Sequence, residues 1–149
     1  MEIINEMSLS VKSLSVNESF VRSVVAGFCV SANPSLDEIT DIKTAVSEAI
    51  TNCVVHAYPD SVGKIDINVK LYENMVKISI TDYGVGIDDI EQALQPFFTT
   101  KPTEDRSGMG FTVMESFMDE FSVTKNKSKG ITVHMTKIFK GEQQMQVGA

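Results

Sequence analysis

The chain has 149 residues with 13 basic and 20 acidic side chains, a formal net charge of −7 at neutral pH. This length fits one domain that buries roughly two thirds of its unfolded surface, and the negative charge disfavours nucleic-acid binding through counterion release. Two cysteines among apolar residues give no disulfide or metal-ligand pattern, and the apolar run at residues 24–30 is too short to span a bilayer. We therefore expect a cytoplasmic protein with no membrane or direct nucleic-acid partner, one domain over residues 1–140 and a flexible tail over residues 141–149.

The first half of the sequence predicts one strand and two helices. The strand is expected near residues 3–11, and an apolar-periodic helix begins at Asn17 and ends before Pro34. Ser35 can cap the second helix, with Glu38 completing a capping box. The buried face of the second helix is predicted to contain Ile39, Ile42, Val46, Ala49, Ile50 and Cys53.

The second half predicts two hairpins and a third helix. Residues 64–72 and 75–81 alternate apolar and polar side chains, as do residues 121–125 and 131–139. Between the hairpins, the segment 84–107 is longer than most connections and is typical of a lid, and a helix is predicted over residues 108–120. Helices combined with a mostly antiparallel sheet predict an α+β two-layer sandwich.

Glu48 and Asn52 lie four residues apart, so they share one face of the second predicted helix. An amide oxygen from Asn52, together with phosphates, is sufficient to hold Mg²⁺, which keeps several waters when bound. Glu48, one turn earlier, can accept a proton from an attacking hydroxyl or water. For an isolated pair of this kind, an exposed polar face is the alternative.

Two glycine motifs follow this helix. Asp82 comes directly after an apolar strand and can accept a hydrogen bond from the exocyclic amine of adenine, while Gly84 and Gly86 let the backbone pass close to the ring. Gly108 and Gly110 open the third helix, where backbone N–H groups can bind phosphate. Alone, each motif is also compatible with an ordinary turn. No Walker sequence is present, and the first glycine pair lacks the third glycine of a dinucleotide fingerprint.

In order, the three motifs resemble the N, G1 and G2 boxes of the GHKL ATPase and kinase superfamily. Within it, residues 47–58, 96–102 and 104–119 are similar to the anti-sigma F factors of spore-forming bacteria, and the likeness extends to about Lys140. The resemblance implies a Bergerat fold, with a mostly antiparallel sheet covered on one face by helices and ATP or ADP held beneath a mobile lid. It also implies a homodimer, although no sequence pattern here independently indicates one.

The resemblance assigns roles residue by residue. It implies Glu48 as the base that activates a substrate serine, with Arg106 beside the γ-phosphate as a second catalytic residue, and Asn52 as the Mg²⁺ ligand. Arg22 aligns with the partner-binding face. The candidate cofactor-binding residues are Asn52, Asp82, Gly84, Gly86, Thr99, Thr100, Lys101, Ser107, Gly108, Met109, Gly110 and Thr132. Solvated loop or surface positions remain the alternative for residues 99–101, Arg106 and Arg22, and a plain strand residue remains the alternative for Thr132.

The function implied is twofold. Such a protein binds and inhibits a sporulation sigma factor, and it uses Mg-ATP to phosphorylate a serine of an anti-anti-sigma protein. Two alternatives stay open at this point: an anti-sigma serine kinase for a general-stress sigma factor, and an ATP-gated sigma-binding module without phosphotransfer.

Overall fold

The computed structural model describes residues 1–95 and 110–141. Its strands are β1 (Asn5–Lys12), β2 (Lys64–Tyr72), β3 (Met75–Asp82), β4 (Glu120–Lys125) and β5 (Ile131–Ile138). Its α-helices are α1 (Val16–Cys29), α2 (Leu36–Asn52), α3 (Ile90–Ala93) and α4 (Gly110–Phe117). A 3₁₀ turn at Val30–Ala32 follows α1, and a π-helical turn at Cys53–Ala57 follows α2.

The five strands form one antiparallel sheet in the order β1-β2-β3-β5-β4. Alternation along β2 places Ile65, Ile67, Val69 and Leu71 on a buried face, and the side chains between them are half-buried or exposed. The other face is polar; one row across it contains Ser8, Asn68, Ser79, His134 and Ser122. Within residues 1–95 and 110–141, helices therefore cover one side of the sheet, which confirms the predicted α+β sandwich.

The helix layer is organised around α2, which contacts both α1 and α4. Complete burial of an aliphatic side chain contributes about 1.5–3 kcal/mol, so the apolar stripes of these helices stabilise the layer. Fully buried members are Val21, Val25, Ile42, Val46, Ile50 and Met114. Because α2 contains Glu48 and Asn52, its position decides where these two candidate residues lie.

The start of α2 is the predicted capping box. The Ser35 hydroxyl accepts a hydrogen bond from the Glu38 N–H at 3.1 Å, and the Glu38 carboxylate accepts one from the Ser35 N–H at 2.8 Å. The same carboxylate also accepts hydrogen bonds from the N–H groups of Lys140 and Gly141, at 2.7 and 3.2 Å. One side chain therefore caps the central helix and fixes the end of the last described segment.

Several predicted boundaries were wrong by one or more residues. The first helix begins at Val16, because the Asn17 side chain donates to the Lys12 carbonyl rather than capping the helix. The helix predicted to end at residue 120 ends at Phe117, since the Asp119 N–H already donates to the Thr136 carbonyl beside the β4–β5 ladder. Ile39 is half-buried, and the short helix α3 lies inside the segment predicted to be irregular.

None of the helices in the described part of the chain has the length and apolar content needed to cross a membrane. The prediction of a single domain ending near residue 140 stays a prediction.

Candidate nucleotide site

Glu48 and Asn52 both lie on α2 and are half-buried. The helix continues past Asn52 as a π-helical turn, in which the Tyr58 N–H donates to the Cys53 carbonyl at 3.2 Å. At the end of this turn, the Ala57 carbonyl accepts a hydrogen bond from the Val85 N–H at 2.9 Å. The helix with the acid and amide therefore directly holds the glycine turn that follows Asp82.

Gly84 makes this contact possible. A Cβ atom at Gly84 would lie 2.1 Å from the Ala57 carbonyl oxygen, a separation that no side chain can occupy. Gly86 adopts φ +78°, in the left-handed region that favours glycine. The two glycines predicted at this turn are therefore required for different reasons. Gly84 leaves room for a close backbone contact, and Gly86 adopts a backbone conformation that other residues rarely adopt.

Asp82 ends β3 as a buried carboxylate. Its Oδ1 accepts hydrogen bonds from the Gly84 N–H at 3.0 Å and the Ile131 N–H at 3.4 Å. Burial raises the pKa of this carboxyl group above its ordinary range, and the two N–H donors oppose the rise. Among the described residues both donors bind Oδ1, so Oδ2 is available to accept a hydrogen bond from a ligand amine.

Two residues beside Asp82 were not predicted as site residues. A Cβ atom at Gly130 would lie 2.2 Å from the Asp82 carbonyl oxygen, and Gly130 has φ +90°. The Asn126 side chain donates to the same carbonyl at 2.7 Å. From the sequence, this region was predicted only as the turn of the second hairpin. The glycine in that turn was the one feature that could have indicated a contact with Asp82.

The start of α4 lies against Asn52. A Cβ atom at Gly110 would be 2.9 Å from both terminal atoms of the Asn52 amide. The second glycine motif and the acid/amide helix, predicted separately, are thus brought together at Gly110. A phosphate placed beside the first turn of α4 would therefore also lie near the Asn52 amide.

Thr132 lies elsewhere. Its hydroxyl contacts the Thr81 hydroxyl at 2.9 Å and donates to the Asn126 side-chain oxygen at 2.7 Å. Both threonines alternate with buried residues, so they occupy the polar sheet face, opposite the Asp82 carboxylate. Among the residues that the structure describes, Asn126 connects Thr132 to Asp82: it accepts from the Thr132 hydroxyl and donates to the Asp82 carbonyl.

Arg22 lies on α1 beside the middle of α2. It forms an ion pair with Glu18 at 3.2 Å and donates to the Ser47 hydroxyl at 3.4 Å, next to Glu48 in the chain.

The remaining candidates lie outside the described residues: Thr99, Thr100, Lys101, Arg106, Ser107, Gly108 and Met109.

The donor set near Asn52 suits a metal that is bound mainly through a nucleotide. Within residues 1–95 and 110–141, no group of three or more His, Cys, Asp or Glu side chains could hold a metal ion. Mg²⁺ needs no such group, because one or two protein oxygens together with phosphates and waters satisfy it. Asn52, whose amide faces Gly110, fits that requirement.

A family model described as histidine kinase-like ATPase domain matches residues 13–137. The fold agrees with this class. The catalytic domain of the histidine kinase ThkA superposes with a TM-score of 0.57 at 17% identity, covering 95% of this chain and 99% of that one. The RsbU and RsbW domains of Rv1364c from Mycobacterium tuberculosis superpose with a TM-score of 0.64 at 18% identity, covering 91% of this chain and 32% of that one. The fold and glycine turns thus define a histidine kinase-like ATPase domain.

Comparison with curated sequences identifies a family within the histidine kinase-like ATPase domains. An anti-sigma F factor of Caldanaerobacter subterraneus subsp. tengcongensis is 52% identical over 92% of this chain and 96% of its own length. One of Bacillus thuringiensis is 52% identical over 89% of this chain and 92% of its own length. The chain belongs to the anti-sigma F factor family of histidine kinase-like ATPase domains.

Proposed function

We propose that the chain is an Mg-ATP-dependent protein serine kinase that also binds and inhibits a sporulation sigma factor, and that its kinase substrate is an anti-anti-sigma protein. The observation that carries the nucleotide part is the arrangement around α2. The π-helical turn that continues α2 holds the turn after Asp82 through Ala57, and the last residue of α2, Asn52, faces Gly110. One helix end therefore joins the candidate adenine and phosphate positions.

The adenine end is matched to its ligand by polarity. The Asp82 carboxylate presents acceptor oxygens, and the exocyclic amine of adenine presents donors. Asp82 is buried, and a hydrogen bond to a charged acceptor contributes about 1.5–3 kcal/mol. A guanine carbonyl at the same place would meet a second acceptor, so the site favours adenine.

At the phosphate end, we assign a different role to each of three residues. Bound Mg²⁺ would offset the negative charge of the phosphates, with Asn52 as its protein ligand. Glu48, one turn earlier on the same helix, accepts the proton of the substrate serine hydroxyl. The serine oxygen then forms the bond to the γ-phosphorus, and ADP leaves as the bond from the γ-phosphorus to the bridging oxygen breaks. Arg106, outside the described residues, is assigned to the γ-phosphate charge because a guanidinium donates two parallel hydrogen bonds.

The partner assignments are supported by the family to which the chain belongs. Its relatives are named anti-sigma F factors, and this name supports sigma-factor binding by this chain. We also propose a homodimeric state and a cytoplasmic location, which the resemblance described under Sequence analysis implies. Arg22 is the proposed contact for the sigma factor; it is about one third exposed, pairs with Glu18 of the same helix and donates to Ser47 of α2. If ATP and ADP forms differ in affinity for the two partners, the bound nucleotide decides which partner is retained.

The test is a transfer assay with Mg-ATP labelled at the γ-phosphate and the co-encoded anti-anti-sigma candidate. Glu48→Gln keeps the size and hydrogen bonding of the side chain but removes its basicity. We expect phosphotransfer to fall by about 10²- to 10⁴-fold, with ATP and sigma-factor binding retained.

Arg22→Ala is the matched variant, since it should weaken sigma-factor capture and leave nucleotide binding intact. No transfer by the unmodified chain, with ATP still bound, would support an ATP-gated sigma-binding module instead. Transfer that survives Glu48→Gln would show that another group accepts the proton.

A further inference from the structure

Tyr58 occupies an unusual place in the hydrogen bonding of the sheet. In the β2–β3 ladder, Ile65 is paired with Asp82, so the next pair in register would be Lys64 and Tyr83. Instead, the buried Tyr58 hydroxyl accepts a hydrogen bond from the Tyr83 N–H at 2.6 Å and donates to the Lys64 carbonyl at 2.7 Å. A side chain from the end of the π-helical turn is inserted where the strands would otherwise pair directly.

The surroundings leave space for this insertion. A Cβ atom at Gly63 would lie 2.1 Å from Cε1 of the Tyr58 ring, so the residue before β2 has no side chain at the point where the ring passes. The neighbouring Ala57 carbonyl accepts from the Val85 N–H at 2.9 Å. Tyr58 and Ala57 together hold the backbone on both sides of Gly84.

Tyr83 is held from its other end as well. Its hydroxyl donates to the Asp66 carboxylate at 2.6 Å on the polar sheet face, where Asp66 also contacts Ser10 and Lys64. The residue directly after Asp82 is thus fixed through its backbone by Tyr58 and through its side chain by Asp66. Asp82 and Gly84 lie on either side of this fixed residue.

We infer that Tyr58 is a positioning residue for adenine recognition: its hydroxyl separates β3 from β2 after Asp82 and so sets where the Asp82 carboxylate and the Gly84 backbone meet the base. This inference rests on the proposed nucleotide site. Without the hydroxyl, the Tyr83 N–H and the Lys64 carbonyl lose the partner that joins them. The chain after Asp82 is then free to shift, and the shift would move the Asp82 carboxylate away from the base. Binding of adenine then weakens, even where the fold retains its stability.

The test compares the unmodified chain with Tyr58→Phe by calorimetric titration with ADP and with purine riboside 5′-diphosphate, which lacks the exocyclic amine. The Kd for ADP is expected to rise about tenfold in Tyr58→Phe, with a much smaller rise for the analogue, so that discrimination between the two ligands falls. Tyr83→Phe should give a smaller loss, because the Tyr83 backbone remains held. Tyr72→Phe, at the other end of β2, is the control and should bind both ligands normally.

Loss of thermal stability in Tyr58→Phe with unchanged discrimination would overturn the inference and leave Tyr58 as a packing residue. If the unmodified chain binds neither ligand, the proposed function itself fails. Amide exchange at Tyr83 in the unmodified chain gives an answer that needs no variant: slow exchange supports the hydrogen bond to Tyr58, and exchange as fast as in an open loop overturns it.

Discussion

At the adenine end of the candidate site, backbone contacts backbone, whereas at the phosphate end a glycine faces a side-chain amide. Hypothetical Cβ atoms at Gly84 and Gly130 would lie 2.1 and 2.2 Å from carbonyl oxygens of Ala57 and Asp82. At Gly110 the corresponding distance to the Asn52 amide is 2.9 Å. The first two contacts can relax only if the backbone moves, while the third can relax by a rotation of Asn52.

In the proposed nucleotide site, this difference corresponds to a preformed base pocket and an adjustable phosphate position. A kinase whose nucleotide changes from ATP to ADP benefits from such a division, since the base is common to both ligands and the phosphates are not. The comparison also orders the expected effects of substitutions on ADP affinity: those at the adenine end should be large, and those at the phosphate end smaller.

Gly84→Ala should have the largest effect. The new methyl group cannot fit beside the Ala57 carbonyl, so the turn must move away from α2, at a cost of about 1–3 kcal/mol in the free energy of unfolding. ADP affinity should fall by roughly a hundredfold or more, because Asp82 and the backbone next to the base move together. Urea denaturation and calorimetric titration measure the two quantities.

Gly27→Ala provides the matched control. Gly27 lies in α1 with no atom within 4 Å of a hypothetical Cβ, so alanine should stabilise the helix by about 0.5–1 kcal/mol and leave ADP binding unchanged. Normal ADP affinity in Gly84→Ala would contradict the claim that the adenine end is the more rigid of the two, since it would mean that this end adapts easily.

Asp82→Asn should weaken ADP binding by roughly 10- to 100-fold without destabilising the free protein at neutral pH. The asparagine oxygen can keep the N–H groups of Gly84 and Ile131, but its amide then presents a donor to the adenine amine. Calorimetric titration with ADP measures the loss of affinity.

The pH dependence of this variant follows from the pKa of Asp82, which burial raises above its ordinary value of 3.8. The folded state therefore holds this proton more tightly than the unfolded state, so the Asp82 contribution to stability is most favourable below pH 3.8 and declines as pH rises through the folded pKa. Asparagine does not titrate. The stability of the variant relative to the unmodified protein should thus be higher at neutral pH than in acid, and the opposite trend in denaturation curves would contradict the buried-charge account.

Local patterns made most of the fold predictable. The Ser35–Glu38 capping box and the alternation along residues 64–72 each depend on neighbours within a few positions, and both are present in the structure. The boundaries at residues 117–120 were wrong because the β4–β5 pairing, which begins there, depends on a strand later in the chain.

The placement of Asp82 at the end of β3 and of the glycine turn after it was predictable, because this motif is continuous in sequence. The roles of these residues stay predictions. The contacts of Gly130 and Asn126 with Asp82 were not, because they exist only once β5 lies beside β3. The Tyr58 insertion depends on a π-helical turn at Cys53–Ala57, for which the sequence has no distinctive pattern. Physical proximity between distant segments, rather than residue type, is what the sequence alone lacked.

Of the three site variants, Gly84→Ala, Asp82→Asn and Gly110→Ala, the last should have the smallest effect. We expect a loss of about three- to tenfold in its ADP affinity, measured with Mg²⁺ present. The methyl group would displace the Asn52 amide, while alanine itself favours the helix, so stability should change little. The same substitution in an Asn52→Ala background should cost less, because no amide remains to be displaced. Titrations of the two single variants and the double variant, with and without Mg²⁺, give this coupling directly. Equal losses in both backgrounds would show that Gly110 acts through the backbone, and the phosphate end would then be as rigid as the adenine end.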